Sequence, residues 1–261
     1  LRLQSRIFGV EKDIKICYHC DKWHHNARGF YMKKRAFTLA EVLITLGVIG
    51  VIAAMTMPAL IANYQKKQTV VQLKKIYSAM SQSVQMSQSN YGDIADWDWT
   101  LSTEDFFKRY LSSNFSVLKY CGKNEGCWNK DGGLMPNGNK YSDPPTFSSG
   151  SDRAKISLSD GAFIAMRKQD NNHVHINVDI NGFKRPNTYG VDIFVFTLTA
   201  VPFSDGSHKI ASPGLFMFGH GLNENEIKSN YHGCSKNATG LMCGEKILMD
   251  GWQINSDYPW K

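Results

Sequence analysis

The sequence predicts an α+β protein in which a long N-terminal helix packs on a C-terminal antiparallel β-sheet domain. Residues 37–62 form an apolar run, and apolar residues then recur at spacings of three and four up to about residue 84. Short alternating or β-branched runs follow after residue 150. These patterns are typical of a membrane-spanning helix, an amphipathic helix and antiparallel strands, in that order.

Composition and charge exclude several classes of protein. The chain has 261 residues, of which 42% are hydrophobic and 20% charged, so it is neither disordered nor too short for a sizeable core. Residues 1–36 carry nine basic and three acidic groups, and the other 225 residues carry 21 basic and 20 acidic groups. Because the body of the chain is nearly neutral, we expect no nucleic-acid contact to be required.

The apolar run is long enough to cross a membrane. As a helix, residues 37–62 would span roughly 39 Å, and their one ionisable side chain is Glu41. The basic residues 33–35 precede the run, which predicts that the C-terminal part lies outside the cytoplasm. An ordinary secretory signal cut near residues 59–62 is the alternative. Such signals have shorter apolar regions and no acidic residue, so we favour an uncut helix.

Residues 63–92 continue the helix in amphipathic form. Leu73, Ile76 and Met80 recur at helical spacing among glutamines, lysines and serines, and residues 89–92 are the predicted end. The two halves therefore form one helix of about 50 residues. We expect a kink at Pro58, because proline lacks a backbone donor and clashes with the preceding turn.

The start of the apolar run resembles the prepilin signal. The residues that carry the resemblance are 33–41 (Lys-Lys-Arg-Ala-Phe-Thr-Leu-Ala-Glu), the apolar stretch that follows them, and Pro58. Type IV pilins and type II secretion pseudopilins share this signal. The resemblance implies that a membrane prepilin peptidase cuts between Ala36 and Phe37 and methylates the new amine. It also implies that Glu41 pairs with the N-terminal amine of a neighbouring subunit during assembly. Ala36 departs from the family, which usually has glycine there.

Residues 1–36 are then a leader that is cleaved before Phe37. Leaders of this family are usually short, so we expect translation to begin at Met32 and residues 1–31 not to be translated. The alternative for this stretch is a zinc site made of Cys17, Cys20, His24 and His25. A single C-x-x-C without a second pair at finger spacing argues against it.

Residues 93–261 form the predicted outward-facing globular domain. Residues 93–153 are expected to be loop-rich, with one helical candidate at 103–111. Strands are predicted at 155–158, 162–168, 173–180, 192–199 and 215–218, and Asp160-Gly161 predicts a hairpin turn between the first two. Residues 178–194 and 243–254 are similar to a loop and to the C-terminal ending of many bacterial pilin-like proteins.

Four cysteines lie outside the leader, in a part of the chain expected in an oxidising compartment. Disulfides are the default there, and four cysteines allow three pairings. Local pairing, Cys121 with Cys127 and Cys234 with Cys243, needs no distant contact and is favoured. A four-cysteine zinc site is the alternative, but the spacings are wrong for it.

Asp179, Asn181 and Asp192 bracket a turn-rich loop and are candidate calcium ligands. The alternative is that these side chains cap the turn through hydrogen bonds to the backbone. No catalytic motif is present, and His173 and His175 alternate along one strand face that we expect to be solvated. We therefore predict a protein that is not an enzyme, with calcium as the one cofactor that the sequence suggests.

These features predict a structural subunit of a type IV pilus or type II secretion pseudopilus, and a minor one because the mature chain is large. Its expected partners are other pilin or pseudopilin subunits, the prepilin peptidase and inner-membrane lipid. It should cross the bacterial inner membrane once and later enter a filament or reach the cell surface. The alternative is a membrane-anchored extracytoplasmic binding domain that does not polymerise. Glu41 favours assembly, because a carboxylate in a bilayer is costly without a partner.

Overall fold

The computed structural model describes residues 37–130, 132–141 and 153–260. The chain divides into two compact units, Leu1–Ile52 and Ala53–Lys261. The leader, its cysteines and histidines, and Ala36 at the predicted cleavage site lie outside the described residues.

One long helix and a six-stranded sheet dominate the fold. The helices are α1 (Leu39–Tyr91), α2 (Thr103–Phe106), α3 (Glu224–Ser229) and α4 (Cys243–Met249), with a π-helical turn at Phe107–Leu111 and short 3-10 turns at Ile94–Asp96 and Ser112–Asn114. The strands are β1 (Val117–Tyr120), β2 (Arg153–Leu158), β3 (Phe163–Lys168), β4 (His173–Asp179), β5 (Ile193–Thr199), β6 (Phe203–Ser204), β7 (Lys209–Ile210) and β8 (Gly214–Met217).

Helix α1 is continuous over 53 residues and contains Pro58. From Thr69 onward it buries one stripe whose members recur every three or four residues, with Ser83 and Val84 side by side: Thr69, Leu73, Ile76, Met80, Ser83, Val84 and Ser87. This is the spacing that keeps residues on one face of a helix. The helix ends at Tyr91, and Gly92 follows with a φ of 84°, a left-handed conformation that glycine adopts at helix ends without steric cost. The predicted end is confirmed.

The large sheet is antiparallel throughout, in the order β1-β2-β3-β4-β5-β8. Strands β1 to β5 are neighbours in chain order, and the β6–β7 hairpin precedes β8. The turn between β2 and β3 contains Asp160 and Gly161, whose φ is 90°. The α+β class, the hairpin and the five predicted strands are confirmed.

One face of the sheet packs against α1. Ile164 of β3 and Ile176 of β4 line a small apolar gap with Met80 and Val84 of the helix. Tyr77 packs on Phe196 of β5 with ring centroids 6.2 Å apart. Because side chains alternate along a strand, every second residue of each central strand joins this apolar core.

The opposite face of the sheet is also buried but more polar. Asn177 of β4 accepts a hydrogen bond from the Tyr189 hydroxyl at 3.3 Å, and Thr197 of β5 lies 3.0 Å from Nε2 of His208. Both faces of the central strands are therefore covered, which explains why β5 is buried along its whole length.

Two details of the domain differ from expectation. The stretch 93–153 contains strand β1, which pairs with β2 at the edge of the sheet. The helical candidate at 103–111 is present, but only Thr103–Phe106 is α-helical and the rest is a π-helical turn.

Candidate assembly site

The start of α1 is closed by a reciprocal capping arrangement. The backbone N–H of Thr38 donates to Oε2 of Glu41 at 2.8 Å, and the N–H of Glu41 donates to Oγ1 of Thr38 at 3.2 Å. The Thr38 hydroxyl also donates to the same carboxylate oxygen at 2.9 Å. This is a capping box, in which two side chains satisfy backbone donors that the first helical turn leaves unpaired.

The capping box gives Glu41 a structural role within its own chain. Sequence reasoning named Glu41 and missed Thr38, although Thr-x-x-Glu before an apolar run is the usual pattern of a capping box. Both hydrogen bonds that the Glu41 carboxylate accepts use Oε2, and Oε1 makes no hydrogen bond with the residues that the structure describes. The carboxylate thus keeps one oxygen for a further donor.

The first part of α1 presents large apolar side chains that are exposed among the described residues. The helix is the one element, among the described residues, that is long and apolar enough to cross a membrane, and none of its most apolar stretch is buried. Its exposed large apolar residues are Leu39, Val42, Leu43, Ile44, Leu46, Val48, Ile49, Val51, Ile52, Met55, Met57, Leu60 and Ile61. A surface of this size needs an apolar environment, since soluble proteins rarely leave large apolar patches exposed.

The candidate calcium ligands lie together in the loop between β4 and β5. Oδ1 of Asp179 accepts from the N–H groups of Asn181 and Gly182, at 3.1 and 2.8 Å. The Asp192 carboxylate accepts from the N–H groups of Asn187 and Thr188, at 2.8 and 2.5 Å, and from the Asn181 amide at 3.1 Å. Both carboxylates therefore serve as acceptors for the backbone of the turn.

The electrostatics of this loop match the turn-capping interpretation. Burial, followed by repulsion from the Asp192 carboxylate, raises the pKa of Asp179 to about 8, and burial also raises the pKa of Asp192. Within the described residues no group of three or more His, Cys, Asp or Glu side chains is arranged to hold a metal ion. The calcium site of Asp179, Asn181 and Asp192 stays a prediction.

The four cysteines form the two local disulfides that the spacing favours. Cys121 bonds to Cys127 and Cys234 to Cys243. Each closes a short loop, which by loop-closure entropy stabilises the fold by about 2–3 kcal/mol. The second disulfide touches the β4–β5 loop, because a Cβ added at Gly190 would lie 2.7 Å from Sγ of Cys243.

The histidines of β4 occupy a different environment from the expected one. His175 is half-buried beside His208 and Phe218, so the expected solvated face is wrong. The reason is the cover provided by the segment after β5. Burial, followed by the charge of His208, lowers the pKa of His175 to about 3, so the ring is neutral at physiological pH.

A cavity of about 150 Å³ lies beside His175. Arg167, Asn177 and Tyr189 are among its lining residues, and the described lining includes no serine, cysteine or carboxylate. A hydrolytic centre needs a nucleophile within hydrogen-bonding reach of a base, and this cavity does not bring such a pair together.

The model of the prokaryotic N-terminal methylation motif, the signal of type IV pilins and pseudopilins, matches residues 31–57, which span Ala36, Phe37 and Glu41. This match, at the start of a long apolar helix, supports a type IV pilin-like or pseudopilin-like protein. Residues 59–261 match the family of unknown function DUF6613, and the chain belongs to that family. No curated protein and no solved structure matches the chain.

Proposed function

We propose that this protein is a minor structural subunit of a type IV pilus or a type II secretion pseudopilus and that it assembles through α1. The observation that carries the proposal is the uncovered apolar surface of residues 37–62 with one carboxylate, Glu41, near its start. A helix that served only as an anchor would gain nothing from a carboxylate in the bilayer. A helix that packs against its neighbours can use that carboxylate to set their register.

Processing would place an amine close to the capping box. Cleavage between Ala36 and Phe37 makes Phe37 the first residue, so its methylated amine precedes Thr38 directly. The Glu41 carboxylate inside a bilayer needs a cation or a proton, because an unpaired buried charge is strongly disfavoured. The amine of a neighbouring subunit can supply that cation through the free oxygen Oε1.

The proposed organisation follows from this role. Residues 37–62 cross the inner membrane once, residues 63–92 carry the helix into the sheet domain, and residues 93–261 form the domain outside the cytoplasm. Prepilin peptidase acts during maturation, and other pilin or pseudopilin subunits are the partners in the filament. The role proposed for the chain is structural rather than enzymatic.

The decisive experiment separates the charge of Glu41 from its capping role. Glu41→Gln keeps an acceptor for the Thr38 N–H, since glutamine also completes a capping box, but it removes the charge. We expect both Glu41→Gln and Glu41→Ala to remain in the membrane and to enter the sheared filament fraction at least about tenfold less than wild type, which corresponds to about 1.4 kcal/mol.

Thr38→Val is the matched control, because it disrupts the cap and leaves the charge. Normal filament entry of Glu41→Gln together with poor entry of Thr38→Val would show that capping, and not pairing, is what assembly needs. N-terminal sequencing of the mature protein should find Phe37, whereas Asn63 as the first residue would indicate an ordinary signal peptide. Wild-type protein that is membrane-anchored but never sheared off would favour the non-polymerising binding domain.

A further inference from the structure

Two grooves flank α1 where the helix enters the domain. The first, about 540 Å³, is lined on the helix side by Lys66, Lys67 and Val70 and on the domain side by Trp252 and Ile254. The ammonium group of Lys74 lies 5.6 Å from the centre of a Trp252 ring, a cation–π contact that holds the indole beside the helix. The groove thus combines basic groups with an aromatic ring.

The second groove lies on the other side of the same helical turns and measures about 490 Å³. Gln65, Gln68 and Gln72 line it from the helix, and Lys184, Arg185 and Trp260 line it from the domain. The β4–β5 loop is fixed there, because Oγ1 of Thr69 donates to the Val191 carbonyl at 3.2 Å. This second basic pair is far from the first in sequence, and only the fold brings the two pairs to the same helical turns.

We name Lys66, Lys67, Lys184, Arg185, Trp252 and Trp260 the basic collar. Its four cations form no ion pair with the described residues, whereas elsewhere in the domain Lys75 pairs with Asp160, Lys108 with Glu104 and Lys209 with Glu226. Lys67, Lys184 and Arg185 are exposed and Lys66 is half-buried. Asp192 also lines the second groove, but the four cations still make the collar a local excess of positive charge on a body that is nearly neutral as a whole.

The collar also lies close to the end of the apolar run. Thr69 is the first buried residue of α1, and it follows Ala62 by seven residues, or about 10 Å of helix. Lys66 and Lys67 follow Ala62 by four and five residues, or about 6 and 8 Å of helix, which is within the Debye length of about 8 Å at physiological ionic strength, so their charges still interact with a charged membrane surface. Tryptophan is enriched at this level of membrane proteins, where its ring is amphipathic enough for the headgroup layer.

We infer that the basic collar docks on anionic phospholipid headgroups of the bilayer that holds α1. The inference rests on the proposed membrane anchor and adds a lipid class and a contact surface to it. Docking of Lys184 and Arg185 would hold the domain in one orientation on the membrane before assembly. Withdrawal from the membrane into a filament would break these contacts.

Lysine footprinting of the full chain in vesicles tests this inference. The protein is reconstituted in phosphatidylcholine alone and in phosphatidylcholine mixed with phosphatidylglycerol, then treated with a membrane-impermeant acylating reagent and analysed by mass spectrometry. Lys184 is the reporter, because it belongs to the domain and not to the helix. Lys123 and Lys236, exposed elsewhere on the domain, are the reference sites.

We expect acylation of Lys184 to slow several-fold in the phosphatidylglycerol vesicles only and to recover at high salt, with Lys123 and Lys236 unchanged. Arg185→Gln should weaken this protection, and Lys123→Gln should leave it intact. Equal rates of Lys184 acylation in both lipids would overturn the inference. Protection of Lys184 in phosphatidylcholine vesicles that grows with protein density would also overturn it, because that result indicates contact with a second copy of the chain. Protection of Lys184 by inorganic phosphate would overturn it too, because that result indicates a site for a free anion.

Alkaline extraction of the same vesicles separates the two proposals. Retention of the protein without protection of Lys184 overturns the docking alone. Release of the protein overturns the membrane anchor and the docking with it.

Discussion

Two stretches of α1 use their apolar residues in opposite ways. In residues 39–62 the large apolar side chains are exposed, for example Leu43 at 61%, whereas Leu73 in the second stretch is 0% exposed. The first stretch is apolar around the whole helix, and the second has one apolar stripe with polar residues between its members. The number of apolar residues therefore does not decide whether a helix packs on its own domain. Their arrangement around the helix does.

The difference also indicates where each stretch obtains its stabilisation. The stripe that begins at Thr69 gains free energy from burial against the sheet, at about 25 cal/mol per Å² of apolar surface. The large apolar side chains of residues 39–62 are exposed among the described residues, so under the proposed function we expect a bilayer or neighbouring helices to cover them. Mutations in the second stretch should then affect the stability of the domain, and mutations in the first should affect insertion and assembly.

Truncation of matched leucines is the strongest test of this division. Leu73→Ala should lower the free energy of unfolding by about 3 kcal/mol, because it leaves a cavity under the sheet. Leu43→Ala should change it by less than about 0.5 kcal/mol, because that side chain is 61% exposed. Denaturant titration of the full chain in detergent, followed by near-UV circular dichroism, measures both. Similar losses for the two variants would contradict the division.

The β4–β5 loop that holds the start of the buried stripe should make stability depend on pH. The folded pKa of Asp179, about 8, is well above its ordinary value of 3.8, so between these values the folded state binds a proton that the unfolded state does not. Stability should therefore fall as pH rises, by up to about 1.4 kcal/mol per unit from this group. The raised pKa of Asp192 acts in the same direction.

Asp179→Asn should flatten this pH dependence, because asparagine keeps an acceptor oxygen for the Asn181 and Gly182 N–H groups and does not titrate. Asp93→Asn is the control, since Asp93 is exposed and makes no side-chain capping bond. Unfolding titrations at pH 5, 6, 7 and 8, roughly spanning the range between the two pKa values, measure the slope. A wild-type slope that Asp179→Asn leaves unchanged would assign the pH dependence to other groups.

Much of this fold was predictable because its elements have strong local patterns. The α1 stripe follows helical spacing, and β2 to β5 consist of β-branched or alternating residues with a Gly turn at Gly161. Strand β1 was missed because it is a short edge strand in which three of the four residues are exposed, so its sequence carries no burial pattern. The π-helical turn at Phe107–Leu111 depends on tertiary packing that helical periodicity does not show.

The candidate sites were predictable to different degrees. Glu41 stands out by its charge in an apolar run, and the Thr38 partner could have been found from the capping-box spacing. The basic collar could not, because Lys66 and Lys184 are 118 positions apart and flank the same helical turns only through the contact of the β4–β5 loop with α1. The polar cover over His175 is likewise a product of chain topology.

A smaller effect is expected at the first buried residue of α1. Thr69→Val keeps the shape of the side chain but removes the donor to the Val191 carbonyl, so it should cost about 1 kcal/mol of unfolding free energy. Gln68→Val, one residue earlier and exposed, is the control and should be nearly neutral. If Gln68→Val lowered the free energy of unfolding as much as Thr69→Val does, the packed stretch of α1 would begin nearer the membrane than Thr69.

The smallest effect should come from the ion pair between α1 and the β2–β3 turn. Lys75 lies 2.7 Å from Asp160, but the two side chains are 66% and 36% exposed. An exposed pair gains little, because water screens the attraction and two flexible side chains lose freedom. Lys75→Ala should therefore cost less than about 0.5 kcal/mol, and a double-mutant cycle with Asp160→Ala isolates the pair from other effects of each change. A coupling energy above about 1 kcal/mol would mean that charge, as well as apolar burial, holds the second stretch of α1 on the sheet.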